Sequence, residues 1–308
     1  MNRRRAAGLL ALCLLPACSE GDLEVHHSAE FFGLVPRGAR VELLGSGLGF
    51  TEGPVWIEAQ GGYLIFSDLW SDRLLKWSRS KGIEVFRTPA PEPNGNTLDA
   101  AGRLLTCEHG SRQITRTERD GTIVPLVSHH LGKRFNSPND LVVHSDGSIW
   151  FTDPTYGLKD RPAELEVRGV YRYEPDTGRI DLLAADCDQP NGLCFSAGER
   201  FLFVADSGEP GRVYRYESTP EHTLANRRDF YRPDHGRPDG LRVGRSGHLF
   251  IAAGDGVHVV DPEGRLLGKI LTPEAVTNLC FGGAQGSTLF ITARSRLLAI
   301  RLATRQAR

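Results

Sequence analysis

The sequence predicts an all-β fold, a six-bladed β-propeller, on three observations. A turn–strand–turn–strand unit recurs along the chain, its length is roughly 40–50 residues, and no segment keeps apolar residues at helical spacing over three or more turns. A parallel β-helix would need shorter rungs. A sandwich would leave unexplained why the same turn returns at the same place in every unit.

The N-terminus stands apart from the repeats. Arg3, Arg4 and Arg5 precede an apolar stretch from Ala6 to Leu15 and then Pro16, Ala17 and Cys18. Basic, apolar and small-residue segments in that order are the layout of a signal peptide, and the apolar stretch is too short for a permanent membrane span. Leu15-Pro16-Ala17-Cys18 also resembles a bacterial lipobox, in which Cys18 becomes the lipidated first residue. Residues 1–18 are therefore expected to be a signal peptide and 19–308 one propeller domain, with blades from about 50 to 302. The expected location is outside the cytoplasm: the periplasm, or a lipid anchor on the envelope of a Gram-negative bacterium.

The repeats follow in order as TEGPVWIEAQGGYLIFSDLWSDRLLKWS, PNGNTLDAAGRLLTCEHGSRQITRTE, SPNDLVVHSDGSIWFTDPTYG with GVYRYEPDTGRI, QPNGLCFSAGERFLFVADSGEPGRVYRYE, RPDGLRVGRSGHLFIAAGDGVHVVDPEGRLL, and VTNLCFGGAQGSTLFITARSRLLAIRL. Each holds a short strand, a turn such as AAGRL, HSDGS or GRSGH, and an apolar strand of the IWFTD, LFVAD or LFIAA type. Asp-Gly and similar pairs between alternating apolar runs are hairpin signals. The 35 glycines and 18 prolines punctuate the chain between these runs.

Composition narrows the partners. With 24% charged residues and a formal net charge of -1, the chain carries no basic excess for nucleic acid, and beyond the possible lipid anchor no membrane contact is expected. Oligomeric state is left open. Cys107, Cys187, Cys194 and Cys280 form no C-x-x-C pair, which argues against a zinc–thiolate centre. Cys107, Cys194 and Cys280 sit in strand-like runs as small hydrophobes, and a Cys187–Cys194 bridge is open to an oxidising compartment.

In a propeller, equivalent loops ring one central channel. The turn opening each unit supplies Glu52, Asn94 or Asn96, Asn139, Asn191, Asp239 and Asn278. All carry oxygen acceptors. Asn and Asp are common turn formers in their own right, but Glu is not, and Glu52 between Thr51 and Gly53 needs a partner. Two carboxylates and several amide oxygens around one axis suit a hard divalent cation.

Here the chain resembles the gluconolactonase, regucalcin and luciferin-regenerating enzyme family, and less closely diisopropyl fluorophosphatase. The resemblance runs from about Phe50 to Leu302 and is carried by Glu52-Gly53-Pro54-Val55-Trp56, Arg134-Phe135-Asn136-Ser137-Pro138-Asn139-Asp140-Leu141, Phe151-Thr152-Asp153-Pro154, Pro190-Asn191-Gly192-Leu193 and Pro238-Asp239-Gly240-Leu241. Cys107-Glu108-His109-Gly110 and Ser137-Pro138-Asn139-Asp140 look like its bacterial gluconolactonase branch. The resemblance implies a six-bladed propeller, cation ligands at Glu52, Asn139, Asn191 and Asp239, and a general base at Asp239. It implies Ca²⁺, with Mg²⁺, Mn²⁺ and Zn²⁺ as alternatives. An insertion at the family's Arg-Phe-Asn-Asp stretch puts Arg134 out of register with the family's substrate-contacting arginine.

His109 and Asn136 are expected to contact substrate, while Asp140 and Asp153 are expected to support the ligands from behind. The implied activity is hydrolysis of a small lactone such as an aldono-1,5-lactone, the ion polarising the carbonyl. No Gly-x-Ser-x-Gly elbow is present for a serine esterase. Two rivals share the scaffold: an esterase or phosphotriesterase on the same ion, and a sugar- or protein-binding propeller whose ion is structural.

Overall fold

The computed structural model describes residues 23–303. Residues 1–18, the expected signal peptide, and Cys18 with them, lie outside the described residues. Six four-stranded antiparallel sheets form the blades of a β-propeller. Blade 1 comprises Thr51–Ile57, Tyr63–Asp68, Arg73–Ser78 and Gly82–Arg87, and blade 2 Pro93–Leu98, Leu104–Glu108, Gln113–Thr117 and Ile123–Val127. Blade 3 holds Leu141–Val143, Ile149–Asp153, Gly169–Glu174 and Arg179–Ala184, and blade 4 Pro190–Phe195, Phe201–Asp206, Arg212–Ser218 and Leu224–Tyr231. Blade 5 runs through Leu241–Val243, Leu249–Ala253, Gly256–Val260 and Leu266–Leu271, and blade 6 through Asn278–Gly282, Thr288–Ala293 and Arg296–Arg301.

Blade 6 takes its fourth strand from the other end of the chain. Glu42–Gly45 pairs antiparallel with the strand Arg296–Arg301, Leu43 opposite Leu298, which closes the ring. Leu23–Val25 adds a fifth strand to the outer edge of blade 5. Between them the one α-helix among the described residues, Ser28–Leu34, buries Phe31 and Leu34. These N-terminal additions lie before the repeats, where no repeat pattern announces them.

The hydrophobic core is divided among the six gaps between blades. Leu105 and Cys107 of blade 2 meet Phe151 and Tyr171 of blade 3, Trp150 of blade 3 meets Leu193 and Val204 of blade 4, and Phe290 of blade 6 meets Phe66 and Trp77 of blade 1. A second strand flanked by neighbours on both faces is apolar on both, so Ile149–Asp153 and Leu249–Ala253 are buried throughout. The fourth strands of blades 1 and 4, at the rim, open to solvent instead, whereas that of blade 5 is covered by an added strand.

All four cysteines of the described residues are free and buried, so the Cys187–Cys194 bridge is not formed. Each sits in a different gap. Cys187 packs between blades 3 and 4, where Sγ meets Tyr216 Oη at 3.5 Å, and Cys194 packs between blades 4 and 5.

Candidate active site

The first strand of each blade lines the axis, and its opening residues carry the chemistry. In blades 1, 2 and 4 the pairing of first and second strands shifts register there, between Glu52 and Val55, Pro93 and Asn96, and Pro190 and Leu193. Such bulges re-aim side chains. In blades 1, 2, 4 and 5 the glycine that follows the polar residue lets the next blade close in. A Cβ on Gly95 would stand 2.6 Å from Asn139 O, and one on Gly192 would stand 2.3 Å from Asp239 O. The x-Gly motif therefore sets the ring's diameter as well as the turn.

These residues surround a cavity of about 410 Å³ at the axial end where the first strands begin. Glu52, Asn94, His109, Asn139, Asn191 and Asp239 line it together. Phe50, Leu69, Trp70 and Tyr156 supply an apolar wall, and Glu92, Lys159 and Arg237 also face it. Lys159 pairs with Glu92, and Arg237 pairs with Glu209.

The charge balance of the floor is negative. Glu52 is buried, its Oε2 accepting Gly53 N–H at 2.9 Å and Asn278 Nδ2–H at 3.2 Å. Burial, reinforced by the negative charge of Asp140, pushes its carboxyl above the usual range. Asp239 is pushed up as well, by burial and then by the charges of Glu52 and Asp140, although the Asn191 side chain donates to it. Its Oδ1 is buried with no hydrogen-bond partner, as is Oδ1 of Asn94. Carboxylates crowded together with unpartnered oxygens lack a positive charge, and an all-oxygen set of Glu52, Asn139, Asn191 and Asp239 fits a hard divalent cation such as Ca²⁺.

His109 is buried beside this set. Nε2 lies 3.2 Å from Asn94 Nδ2 and 3.5 Å from Asn139 Nδ2. With amide N–H groups on that side, Nε2 acts as an acceptor, which puts the ring proton on Nδ1. Burial, and then the charges of Arg161 and Lys159, lower its pKa to about 3. The ring is thus neutral. By drawing the Nδ2 atoms to itself it turns the amide oxygens away, while the ring itself lines the cavity.

Asn136, expected to contact substrate, does not line the cavity, and neither do Asp140 and Asp153, which were expected behind it. Asn136 is fully buried, and its Nδ2 donates to Val167 O at 3.0 Å. The cause is Asp153, whose two oxygens accept the N–H groups of Asn136 at 2.8 Å and Ser137 at 2.7 Å and pin the chain there. Phe135 is buried against Phe151 and Tyr171 at the same time. Asp206 clamps Asp188 N and Gln189 N in the same way, and Asp68 clamps Gly49 N and Phe50 N. Asp140 is fully buried, with Asn278 Nδ2 at 3.4 Å and Arg242 Nη1 at 3.5 Å from its Oδ2.

Asn96 and Asn278 also leave the cavity to their neighbours. Asn96 Nδ2 donates to Gly53 O, Ser67 Oγ and Asn94 O, bracing blade 1 against blade 2. Residues that the sequence reading did not pick out include Trp70, Tyr156 and Ser207. Each follows the aspartate that ends a second strand, in SDLW, TDPTY and ADSG, and that recurring Asp is the signal that could have found them.

Residues 50–295 match the family model described as the SMP-30/Gluconolactonase/LRE-like region. A gluconolactonase of Zymomonas mobilis is 34% identical, over 86% of this chain and 82% of that protein. The pentonolactonase XacC of Haloferax volcanii is 26% identical, over 78% and 80%. Among solved structures, a gluconolactonase from Xanthomonas campestris superposes with a TM-score of 0.87 at 38% identity, covering 94% of this chain and 99% of that one.

Proposed function

The chain belongs to the SMP-30/gluconolactonase/LRE-like family, and from that premise we propose that it hydrolyses a sugar lactone, such as an aldono-1,5-lactone, in the axial cavity. The observation that carries this reading is the meeting of Glu52 and Asp239 with Asn139 and Asn191 on one cavity floor beneath an open mouth.

A divalent cation, Ca²⁺ by the hardness of the donor set with Mg²⁺, Mn²⁺ or Zn²⁺ as alternatives, would be held by Glu52, Asn139, Asn191 and Asp239 and would supply Lewis-acid polarisation of the lactone carbonyl. The protein's own groups do the rest. Asp239 turns an oxygen with no protein donor into the site, and there it takes a proton from the attacking water. The water oxygen bonds to the carbonyl carbon, the ring C–O bond breaks, and the proton on Asp239 passes to the leaving alkoxide, giving the hydroxy acid. His109 holds the amides of Asn94 and Asn139 in place. Trp70 and Tyr156 offer flat apolar faces to the C–H side of a sugar ring.

The same aromatic wall has room for aryl groups, which favours an esterase or phosphotriesterase as the second reading. The experiment is turnover of Ca²⁺-loaded protein against aldonolactones, homoserine lactones, aryl esters and phosphotriesters. Aldonolactones are expected to give the highest kcat/KM; preference for an aryl ester or phosphotriester would establish the second reading, and no turnover of any would leave a binding propeller with a structural ion.

Export is part of the same proposal: Arg3–Arg5, the apolar stretch and Leu15-Pro16-Ala17-Cys18 support removal of residues 1–17 and lipidation of Cys18 in the envelope of a Gram-negative bacterium. Mass spectrometry of membrane-fraction protein should find a diacylglyceryl Cys18 at the N-terminus, and an intact Met1 in the cytoplasmic fraction would refute it.

A further inference from the structure

At the opposite end of the blades from the axial cavity, side chains of a different chemistry converge. His144 and Asp146 belong to the turn after the first strand of blade 3, and His222 to the turn between the third and fourth strands of blade 4. One donor atom from each lies within 4.8 Å of the others. None of the three lines the axial cavity.

The spacing of Asp146 and His222 is that of ligands. Asp146 Oδ1 stands 3.0 Å from His144 Nδ1, and Asp146 Oδ2 stands 3.4 Å from His222 Nε2. Two atoms each about 2.0–2.1 Å from a tetrahedral ion lie about 3.3–3.4 Å apart, whereas a charge-assisted N–H···O bond closes to about 2.7–2.9 Å. His222 Nδ1 is buried without a hydrogen-bond partner, so neither ring nitrogen is well served by the protein alone.

The surroundings prepare His144 for the same role. Nδ1, which accepts the backbone N–H of Asp146 at 3.2 Å, carries the ring's lone pair, and an ion would take that lone pair over from the N–H. The proton is then on Nε2, which faces Glu199 Oε2 at 3.3 Å. Glu199 is fixed in turn by the N–H and Oγ–H of Ser145. A carboxylate behind the far nitrogen is the arrangement that orients ligating imidazoles. Asp146 Oδ1 accepts the N–H and Oγ–H of Ser148, and Oδ2 pairs at 3.0 Å with Arg172, whose charge is shared with Glu174 and Asp181. The neighbourhood keeps a net negative charge.

We infer that His144, Asp146 and His222 bind a late first-row divalent metal ion of the Zn²⁺ class, which clasps blade 3 to blade 4. Two imidazoles and a carboxylate select such an ion, while the all-oxygen axial set selects a harder one. In the other group of this kind among the described residues, Asp234, Asp255 and His258, Lys269 Nζ bridges both carboxylates, 2.8 Å from Asp234 and 3.1 Å from Asp255, whereas Arg172 pairs with Asp146 alone of the three and divides its charge with Glu174 and Asp181.

The test is calorimetric titration of Zn²⁺ into the full chain with Ca²⁺ in excess, paired with thermal unfolding. Wild type should take up one Zn²⁺ at this site and unfold at a higher temperature. His222→Gly removes a ligand at a residue whose φ is +58°, a conformation glycine adopts readily, so its fold is not at risk. It should lose both the uptake and the Zn²⁺-dependent shift while keeping or raising its Zn²⁺-free unfolding temperature. Glu199→Gln should weaken Zn²⁺ by about 10–100-fold. Wild type that binds no Zn²⁺ under these conditions, or His222→Gly that binds it with wild-type affinity, would overturn the inference.

Discussion

Asn278 Nδ2 donates to Glu52 Oε2 at 3.2 Å across the seam where blade 6 meets blade 1. The closure of the ring and the aim of a carboxylate at the axis are thereby one structural event. Removing the amide in Asn278→Ala should lower Ca²⁺ affinity by about 10–100-fold, as loss of an orienting hydrogen bond behind a ligand does. Turnover should recover at saturating Ca²⁺. Calorimetric titration of the variant checks this, and unchanged affinity would show that Asn278 does not orient Glu52.

Close approach of neighbouring blades at glycine gives a second expectation. Gly95→Ala places a Cβ 2.6 Å from both Asn139 O and an Asp140 carboxylate oxygen, with no space to yield except by moving Asn139. A displacement near 1 Å at a reacting centre costs on the order of a hundredfold in rate. The variant should therefore lose about that factor in kcat/KM while its far-ultraviolet circular dichroism stays that of a β-protein.

Asp153 and Asp206 make equivalent clamps, each accepting two backbone N–H groups at 2.7–2.8 Å just ahead of a first strand. Hydrogen bonds to a charged acceptor contribute about 1.5–3 kcal/mol each, and because burial pushes the Asp153 carboxyl up to about 7 the comparison is made above that pH. Asp153→Ala and Asp206→Ala should each lose about 3–5 kcal/mol in urea unfolding, and a loss below about 1 kcal/mol in either would contradict the clamp.

The helix before the repeats is predicted to matter as much as a blade residue. Phe31 is fully buried with Phe250, Val257 and Leu267. Phe31→Ala should destabilise the fold by about 3–5 kcal/mol, the usual cost of emptying a large core site. A change within experimental error would mean that the N-terminal segment is not packed as described.

What was legible in the sequence was whatever repeats. Glu52, Asn139, Asn191 and Asp239 share one register in successive units, and a rotational fold turns a shared register into a shared place. The Asp at the end of second strands was legible as a brace for the same reason. Glu42–Gly45 and Leu23–Val25 were not, because each is a single strand borrowed by a blade whose other strands lie more than 200 residues away in the chain. A helix as short as Ser28–Leu34 shows too few turns for its period to register. Asn136 misled by adjacency: three residues from Asn139, it is turned to Val167 by a clamp that only the fold reveals. Trp70 and Tyr156 follow the Asp that ends a second strand, but at different distances from it, so the recurring Asp marks their loops and not their positions.

The central claim is that Glu52 and Asp239 share a cation but not a duty, and turnover against Ca²⁺ concentration in Glu52→Gln and Asp239→Asn tests it most directly. Glu52→Gln loses a ligand charge alone, so its lactonase activity should return toward wild type as Ca²⁺ saturates. Asp239→Asn keeps an amide oxygen able to coordinate but cannot accept a proton from water at neutral pH. General-base catalysis contributes about a hundredfold to ten-thousandfold, and Asp239→Asn should remain slower by that order with the site full. Recovery of Asp239→Asn at saturating Ca²⁺ to the level of Glu52→Gln would contradict the account and leave Asp239 a ligand only.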